Sequence, residues 1–336
     1  MTLGQRTRGG WVVGLDIGGS ASRASVAPAV DDPAEAPALP LSGERVGISP
    51  GGSRVPELVD ALLVQAAAAI PGGMAEVRSV AIGATGVRTL VADPQRLVDT
   101  LAAQLPGTVV QLSTDAVTAH LGALGGAPGA VVAVGTGSIA FGTDFADVWV
   151  RVDGWGHLLG DRGAASWIGR TGLETAIARW DGVDARGERL LAAAIARFGA
   201  PLTWPAQLYT RDDRAGVLGS FATDVDALAN AGDDAAVAIM HEAGRQVARS
   251  VAAALQPGVA PTVAGTGGLF DSAAFAAAFR EELGRRAPHA ERREPQGSPL
   301  DGAVRLARLG LRADTRPRPH PDHLWASVPR GPGEST

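Results

Sequence analysis

The sequence predicts an α/β protein of two lobes with a duplicated core. Its 336 residues suffice for two domains of about 100 to 200 residues each, with a cleft expected between them. Short apolar runs alternate with segments of helical periodicity, the order of a layered α/β chain. The pattern of an apolar strand, a turn of small residues and a second strand occurs twice, at 11–27 and again at 130–143.

The first strand is the apolar run Trp11 to Ile17, ended by Gly18-Gly19, with alternation resuming from Ser22 to Ala27. Pro28 to Gly52, rich in Pro, Asp and Gly, reads as a loop. A helix is expected from near Pro56, with Leu58, Leu62, Ala66 and Ala69 on one face, then a strand from Val77 to Thr85. A helix from about Pro94, a strand Thr108 to Leu112 and a helix opening at Asp115 follow. The second hairpin is Ala130 to Val134, the turn Gly135-Thr136-Gly137-Ser138, and Ile139 to Thr143.

Gly160 to Pro257 reads as almost wholly helical, most clearly where Ala236, Met240, Ala243, Val247 and Val251 share a face. A strand Pro261 to Ala264 runs into Gly265-Thr266-Gly267-Gly268 and a helix striped by Phe275, Phe279 and Leu283. The expected domains are 11–120 together with the helix 298–312, and 121–297 with its helical layer. The tail 313–336, with Pro317, Pro319, Pro321, Pro329 and Pro332, is expected to be disordered.

Composition narrows the chemistry. The net charge of −5, with no basic block interleaved with aromatics, argues against nucleic acid. No apolar stretch approaches the roughly 18 residues that span a bilayer, so a cytoplasmic protein with no membrane partner is expected. There is no Cys, hence no disulfide, thiolate nucleophile or cysteine-held iron–sulfur cluster. There is no Lys either, which rules out the phosphate loop ending in Gly-Lys-Ser/Thr and the strand lysine of protein kinases. Hydrophobic residues make up 46% of the chain but aromatics only 4%, so the cores must be built from small side chains in close contact.

A glycine turn after a strand lets several backbone N–H groups face one anion, although any single such turn reads more simply as a tight turn. Three of them close strands here, at 18–20, 135–138 and 265–268. Asp16 lies among the last residues of the first strand, where it could anchor a hydrated Mg²⁺ or cap its own turn. Asp115 at a helix start reads either as a general base or as an N-cap. In Gly154-Trp155-Gly156-His157, the ring of Trp155 could pack in the core or face a sugar, and His157 reads as a structural histidine. Asp161 fits a hydroxyl acceptor or a helix cap.

VGLDIGGSASR, STDAVTAHLGAL, VVAVGTGS, GWGHLLGDRGAASWIG and VAGTGGLF, in that order, resemble the motif series of the BadF/BadG/BcrA/BcrD ATPase and N-acetylglucosamine kinase family, from Val12 to about Leu311. The resemblance implies an actin-like ATPase (ribonuclease H-like) fold and an ATP- and Mg²⁺-dependent sugar kinase. It places Asp16, Gly18, Gly19 and Ser20 at the first phosphate and metal site and Gly135, Thr136, Gly137 and Ser138 at the second. Gly265, Thr266, Gly267 and Gly268 would receive the adenosine. Asp115 would be the catalytic base, and Thr85, Gly86, Gly154, Trp155, Gly156 and Asp161 would join it around the sugar. A homodimer and transfer to the 6-hydroxyl are also implied.

The sequence departs from the family's pattern at Ile139, where an Asn often follows the GTGS turn, and at Arg162, where an acidic residue is common. Arg162 could reach an anionic substrate or form a surface ion pair. The sugar loop corresponds to Gly47–Ser53, which has no Asn; the chain's single Asn is Asn230. N-acetylglucosamine is the first acceptor to consider, with glucosamine, N-acetylmuramic acid and glucose as alternatives. A sugar-sensing ATPase without transfer is the reading from another class, whereas the iron–sulfur ATPase activators of the superfamily are excluded by the absence of Cys.

Overall fold

The computed structural model describes residues 9–19, 21–30, 39–43, 48–49 and 52–327. They divide into two compact units. Unit 1 takes the described residues up to Ala127, Phe145–Trp149 and those from Pro295 on; unit 2 takes Pro128–Asp144 and Val150–Glu294.

Unit 1 opens with β1 (Trp11–Ile17), β2 (Ser22–Pro28) and β3 (Leu39–Gly43), then a short hairpin of β4 (Ile48–Ser49) and β5 (Gly52–Ser53). It continues through α1 (Val55–Ala69), β6 (Val77–Ala84), α2 (Val87–Leu90), α3 (Pro94–Gln104), β7 (Val109–Thr114) and α4 (Asp115–Leu124). β1 pairs antiparallel with β2 and parallel with β6, and β6 pairs parallel with β7. β3 lies inside the stretch expected to be a loop. It is an edge strand of alternating exposure on β2, and its pairing is what orders it.

In unit 2, β8 (Gly129–Val134) and β9 (Ser138–Thr143) form an antiparallel hairpin, and β10 (Trp149–Asp153) extends the sheet. Six helices follow: α5 (Ala165–Trp180), α6 (Glu188–Phe198), α7 (Trp204–Tyr209), α8 (Arg214–Ser220), α9 (Ala222–Asn230) and α10 (Asp234–Ala254). β11 (Thr262–Thr266), α11 (Ala273–Arg286) and β12 (Glu291–Arg293) complete it, with β11 parallel to both β8 and β12. The chain then returns to unit 1 with α12 (Pro299–Gly310) and β13 (Leu324–Ala326).

The duplication is visible in the pairing. β1 and β8 each lie between an antiparallel hairpin partner and a parallel neighbour. Helix starts follow local chemistry: the Asp93, Asp233 and Ser272 side chains accept the amides of Arg96, Ala236 and Phe275 in the first turns of α3, α10 and α11, and Ser298 with Asp301 forms a capping box on α12. The stripe Ala236, Met240, Ala243, Val247 and Val251 on α10 is fully buried in the unit 2 core.

Small residues set the packing distances, as the low aromatic content requires. A Cβ on Gly302 would fall 1.8 Å from the Thr118 carbonyl oxygen, so α12 can cross α4 only because residue 302 has no side chain. Gly14 does the same for α12 on β1, its Cα facing the Val304 amide.

Two expected boundaries need correction. α4 runs unbroken to Leu124 and belongs to unit 1, so the division falls after Ala127 and not at residue 120. The tail includes regular structure: β13 pairs antiparallel with β7, burying Leu324 and Trp325. Pro321 precedes this strand and no proline lies within it, so none costs it a hydrogen bond.

Candidate functional site

Parallel strands deliver their C-terminal ends to one edge of a sheet. In unit 1, Ile17 is in register with Ala84 and Ala84 with Thr114. Asp16, Gly18 and Gly19 therefore share an edge with Thr85, Gly86 and Asp115. The Gly18 amide donates to the Ala21 carbonyl at 2.9 Å, closing the first turn, and the Thr85 amide donates to the Ile17 carbonyl at 2.9 Å. Gly86 is left-handed and starts α2. Ser20, Gly47, Pro50 and Gly51 lie outside the described residues.

Asp16 is buried, with Arg23 of β2 at 3.7 Å. Burial pushes its carboxyl up to about 6; Arg23 opposes this and the neighbouring Asp115 adds to it. A desolvated carboxylate beside a second one is short of positive charge, which fits a divalent cation. No group of three metal-ligating side chains exists among the described residues, so such an ion would take most of its ligands from phosphates and water.

Asp115 is the first residue of α4 and Thr114 is its N-cap, so Asp115 is not the cap. The Thr114 Oγ1 is buried without a hydrogen-bond partner. Asp115 itself is half-buried.

In unit 2 the second turn is locked to the start of α5. Gly135 N–H donates to the Gly137 carbonyl at 2.8 Å, while the Gly135 and Thr136 carbonyls accept from Ala165 and Ser166 at 3.0 and 3.1 Å. The hydroxyls of Ser138 and Ser166 are buried without partners, which suits phosphate oxygens. β11 runs parallel to β8 with Thr266 opposite Ala133, so the third turn lies beside the second. There a Cβ on Gly265 would meet the Phe270 ring at 2.3 Å, so the missing side chain gives that ring its place.

The block after β10 is organised by a residue that sequence reasoning passed over. Asp153 is buried, and its two carboxylate oxygens accept the amides of Asp161 and Arg162, each at 2.9 Å. Both Asp153 and Asp161 adopt positive φ, 63° and 53°. Asp161 accepts the Gly156 amide at 3.2 Å, and its Oδ2 would lie 2.8 Å from a Cβ on Gly137. The loop thus hangs from Asp153 and places Asp161 against the phosphate turn. The N-cap position of α5 is held by Ala164. The one available signal was a carboxylate ending a strand directly before the GWG block.

Trp155 is not a core residue: it is 60% exposed, with the Arg151 guanidinium 4.5 Å from its ring centre. Gly154 rests on Ile139, whose Cδ1 would be 2.9 Å from a Cβ there. Burial, with Arg214 and Arg170, holds His157 below the usual imidazole range, and its Nε2 is buried without a hydrogen-bond partner. Arg162 is largely exposed, 3.9 Å from Asp153.

Asp153→Ala strips acceptors from two amides while two non-glycine residues remain left-handed. A loss of about 3 kcal/mol in unfolding free energy is expected, read by chemical denaturation. A change under about 0.5 kcal/mol would sink the clamp.

The profile of the BadF/BadG/BcrA/BcrD ATPase family matches residues 13–307. No curated protein matches the sequence. Among solved structures, a candidate N-acetylglucosamine kinase from Chromobacterium violaceum superposes with a TM-score of 0.67 at 24% identity, over 88% of this chain and 98% of that one. A second candidate N-acetylglucosamine kinase, from Porphyromonas gingivalis, gives 0.66 at 17% identity over 90% and 99%. A ROK family glucokinase from Streptomyces griseus, in complex with glucose and AMPPNP, gives 0.57 at 19% over 89% and 99%. The fold is that of the actin-like ATPases, mixed α/β, with a six-stranded and a five-stranded sheet as the two main sheets among the described residues.

Proposed function

The chain belongs to the BadF/BadG/BcrA/BcrD ATPase family, and from that premise we propose that it is a kinase transferring the γ-phosphoryl group of ATP to a sugar hydroxyl. The observation that carries this is the pair Asp16 and Asp115 on one sheet edge, one carboxylate desolvated and the other at a helix start. An ATPase needs an anchor for its metal ion; a sugar kinase also needs a base. Asp115 takes the proton of the acceptor hydroxyl as that oxygen bonds to the γ-phosphorus and the bond to the departing ADP oxygen breaks.

Asp16 is the residue to hold Mg²⁺, which when bound neutralises charge on the transferring phosphoryl group. Gly18, Gly19 and Ser20, with Gly135, Thr136, Gly137 and Ser138, supply turn amides and hydroxyls to phosphate oxygens. Gly265, Thr266, Gly267 and Gly268 receive the adenosine. Trp155 offers an exposed ring to the apolar face of a sugar, and Thr85, Gly86, Gly154, Gly156 and Asp161 complete the acceptor contacts.

N-acetylglucosamine at its 6-hydroxyl is the acceptor this reading favours, because similar structures carry that name. Ile139 in place of an amide keeps glucosamine, N-acetylmuramic acid and glucose as the alternatives. A cytoplasmic homodimer completes the reading. No helix among the described residues is long and apolar enough to cross a membrane.

A coupled ADP-release assay with Mg²⁺ and ATP across these four sugars tests it. N-acetylglucosamine should give the highest kcat/KM. Another sugar in first place would reassign the acceptor, and sugar binding without ADP release would make the chain a sensor.

A further inference from the structure

The family match ends at residue 307, yet the chain beyond it reaches the candidate base. β13 pairs with β7 from Leu324 opposite Ser113 to Ala326 opposite Gln111. The His323 carbonyl accepts the Thr114 amide at 3.1 Å, one residue before Asp115. At the other end of the pairing, Ser327 N–H donates to the Val110 carbonyl at 2.8 Å and Val110 N–H donates to Ser327 Oγ at 3.0 Å. Asp322 pairs at 3.2 Å with Arg88 of α2, the helix that starts from Gly86.

The same segment is fastened elsewhere in unit 1. Trp149 stacks on His320 and His323, with ring centres 5.2 and 6.1 Å away. Arg318 donates its amide to the Phe145 carbonyl at 3.3 Å and pairs with Asp147 at 2.8 Å. Leu324 is 1% exposed and His323 4%. A three-residue strand has no stability of its own, so side-chain burial and these anchors hold it.

We propose that residues 318–327 are a positioning strap for the acceptor side of the site. The strap fixes the peptide that carries Thr114 into Asp115 and, through Asp322, braces the turn at Thr85 and Gly86. Without it β7 is an open edge, and the Thr114 and Val110 amides lose their partners. A base displaced by about 1 Å can cost on the order of 10²-fold in rate, so the strap governs transfer although it touches no substrate. This rests on the kinase reading above.

The test uses the full chain carrying Leu324→Glu, which places a charge in a buried position and releases the strap. With the best sugar from the four-sugar assay, kcat should fall about tenfold or more while the KM for ATP stays within about twofold. Thr114 amide exchange should accelerate. A synthetic peptide of residues 314–327 added in trans, and separately the conservative Leu324→Ile, should recover transfer. Leu324→Ala carries the same measurement if Leu324→Glu does not fold.

Unchanged kcat in a folded variant with a lowered melting temperature would overturn the proposal, leaving β13 as edge cover alone. Failure of the unmodified protein to phosphorylate any sugar would show at once that the kinase reading is at fault, and the strap's role would fall with it.

Discussion

Asp115→Asn should transfer phosphate about 10² to 10⁴-fold more slowly than the native chain, the usual loss on removing a general base. Asn keeps the size and a hydrogen-bonding group but cannot take the hydroxyl proton. α4 should survive, because Thr114 is its N-cap and residue 115 only its first turn. Sugar should still bind, less tightly for want of a charged acceptor. Calorimetric titration with sugar and a coupled ADP assay on one preparation separate the two effects. Near-normal turnover would move the base elsewhere, with Asp161 the next residue to replace.

Asp16→Asn should abolish turnover and, without ligands, stabilise the protein at pH 7. Metal-ion catalysis supplies several kcal/mol, so a loss on the order of 10³-fold is expected when the anchor goes. The stability gain follows from the same burial. Asp16 titrates from 3.8 when unfolded to about 6 when folded, so between those values the folded chain keeps a proton that the unfolded chain has released.

Asp16 therefore favours the fold most below about pH 4, and that contribution is lost as pH rises towards 6. The span corresponds to about 3 kcal/mol, which the neutral Asn does not forfeit. Melting curves of both proteins from pH 4 to pH 7.5 should diverge with rising pH, the variant being the more stable. Mg²⁺ with ATP should narrow the gap by stabilising ionised Asp16 in the native chain alone. Parallel melting profiles, or an equal response to Mg²⁺, would remove the metal role from this residue.

Much of the site was legible in the chain because its signals are local. A buried strand, a glycine turn and a second strand are contiguous in sequence, so both hairpins and their turns could be placed from residues 11–27 and 130–143. The α10 stripe was legible for the same reason, since 3.6-residue periodicity is written in one segment. The motif order from Val12 to Leu311 pointed to the family.

What escaped was whatever depends on a partner distant in sequence. β3 and β13 are short edge strands with weak patterns of their own, and they exist because β2 and β7 offer unpaired edges. The prolines after Ala313 suggested disorder, but backbone pairing with β7 and burial of Leu324 outweighed them. Asp153 carried no spacing signal, because its two acceptors meet amides eight and nine residues on, across a loop with two left-handed aspartates.

The sequence by itself determined the class of fold, the two small-residue hairpins and the exclusion of lysine- and cysteine-based chemistry. Only the tertiary structure decided that Asp115 follows a cap and is not one, that Trp155 faces solvent, and that β13 lies beside the candidate base. Each of those turns on which groups are withdrawn from water by distant parts of the chain, and burial of that kind is a sum over contacts that no local pattern encodes.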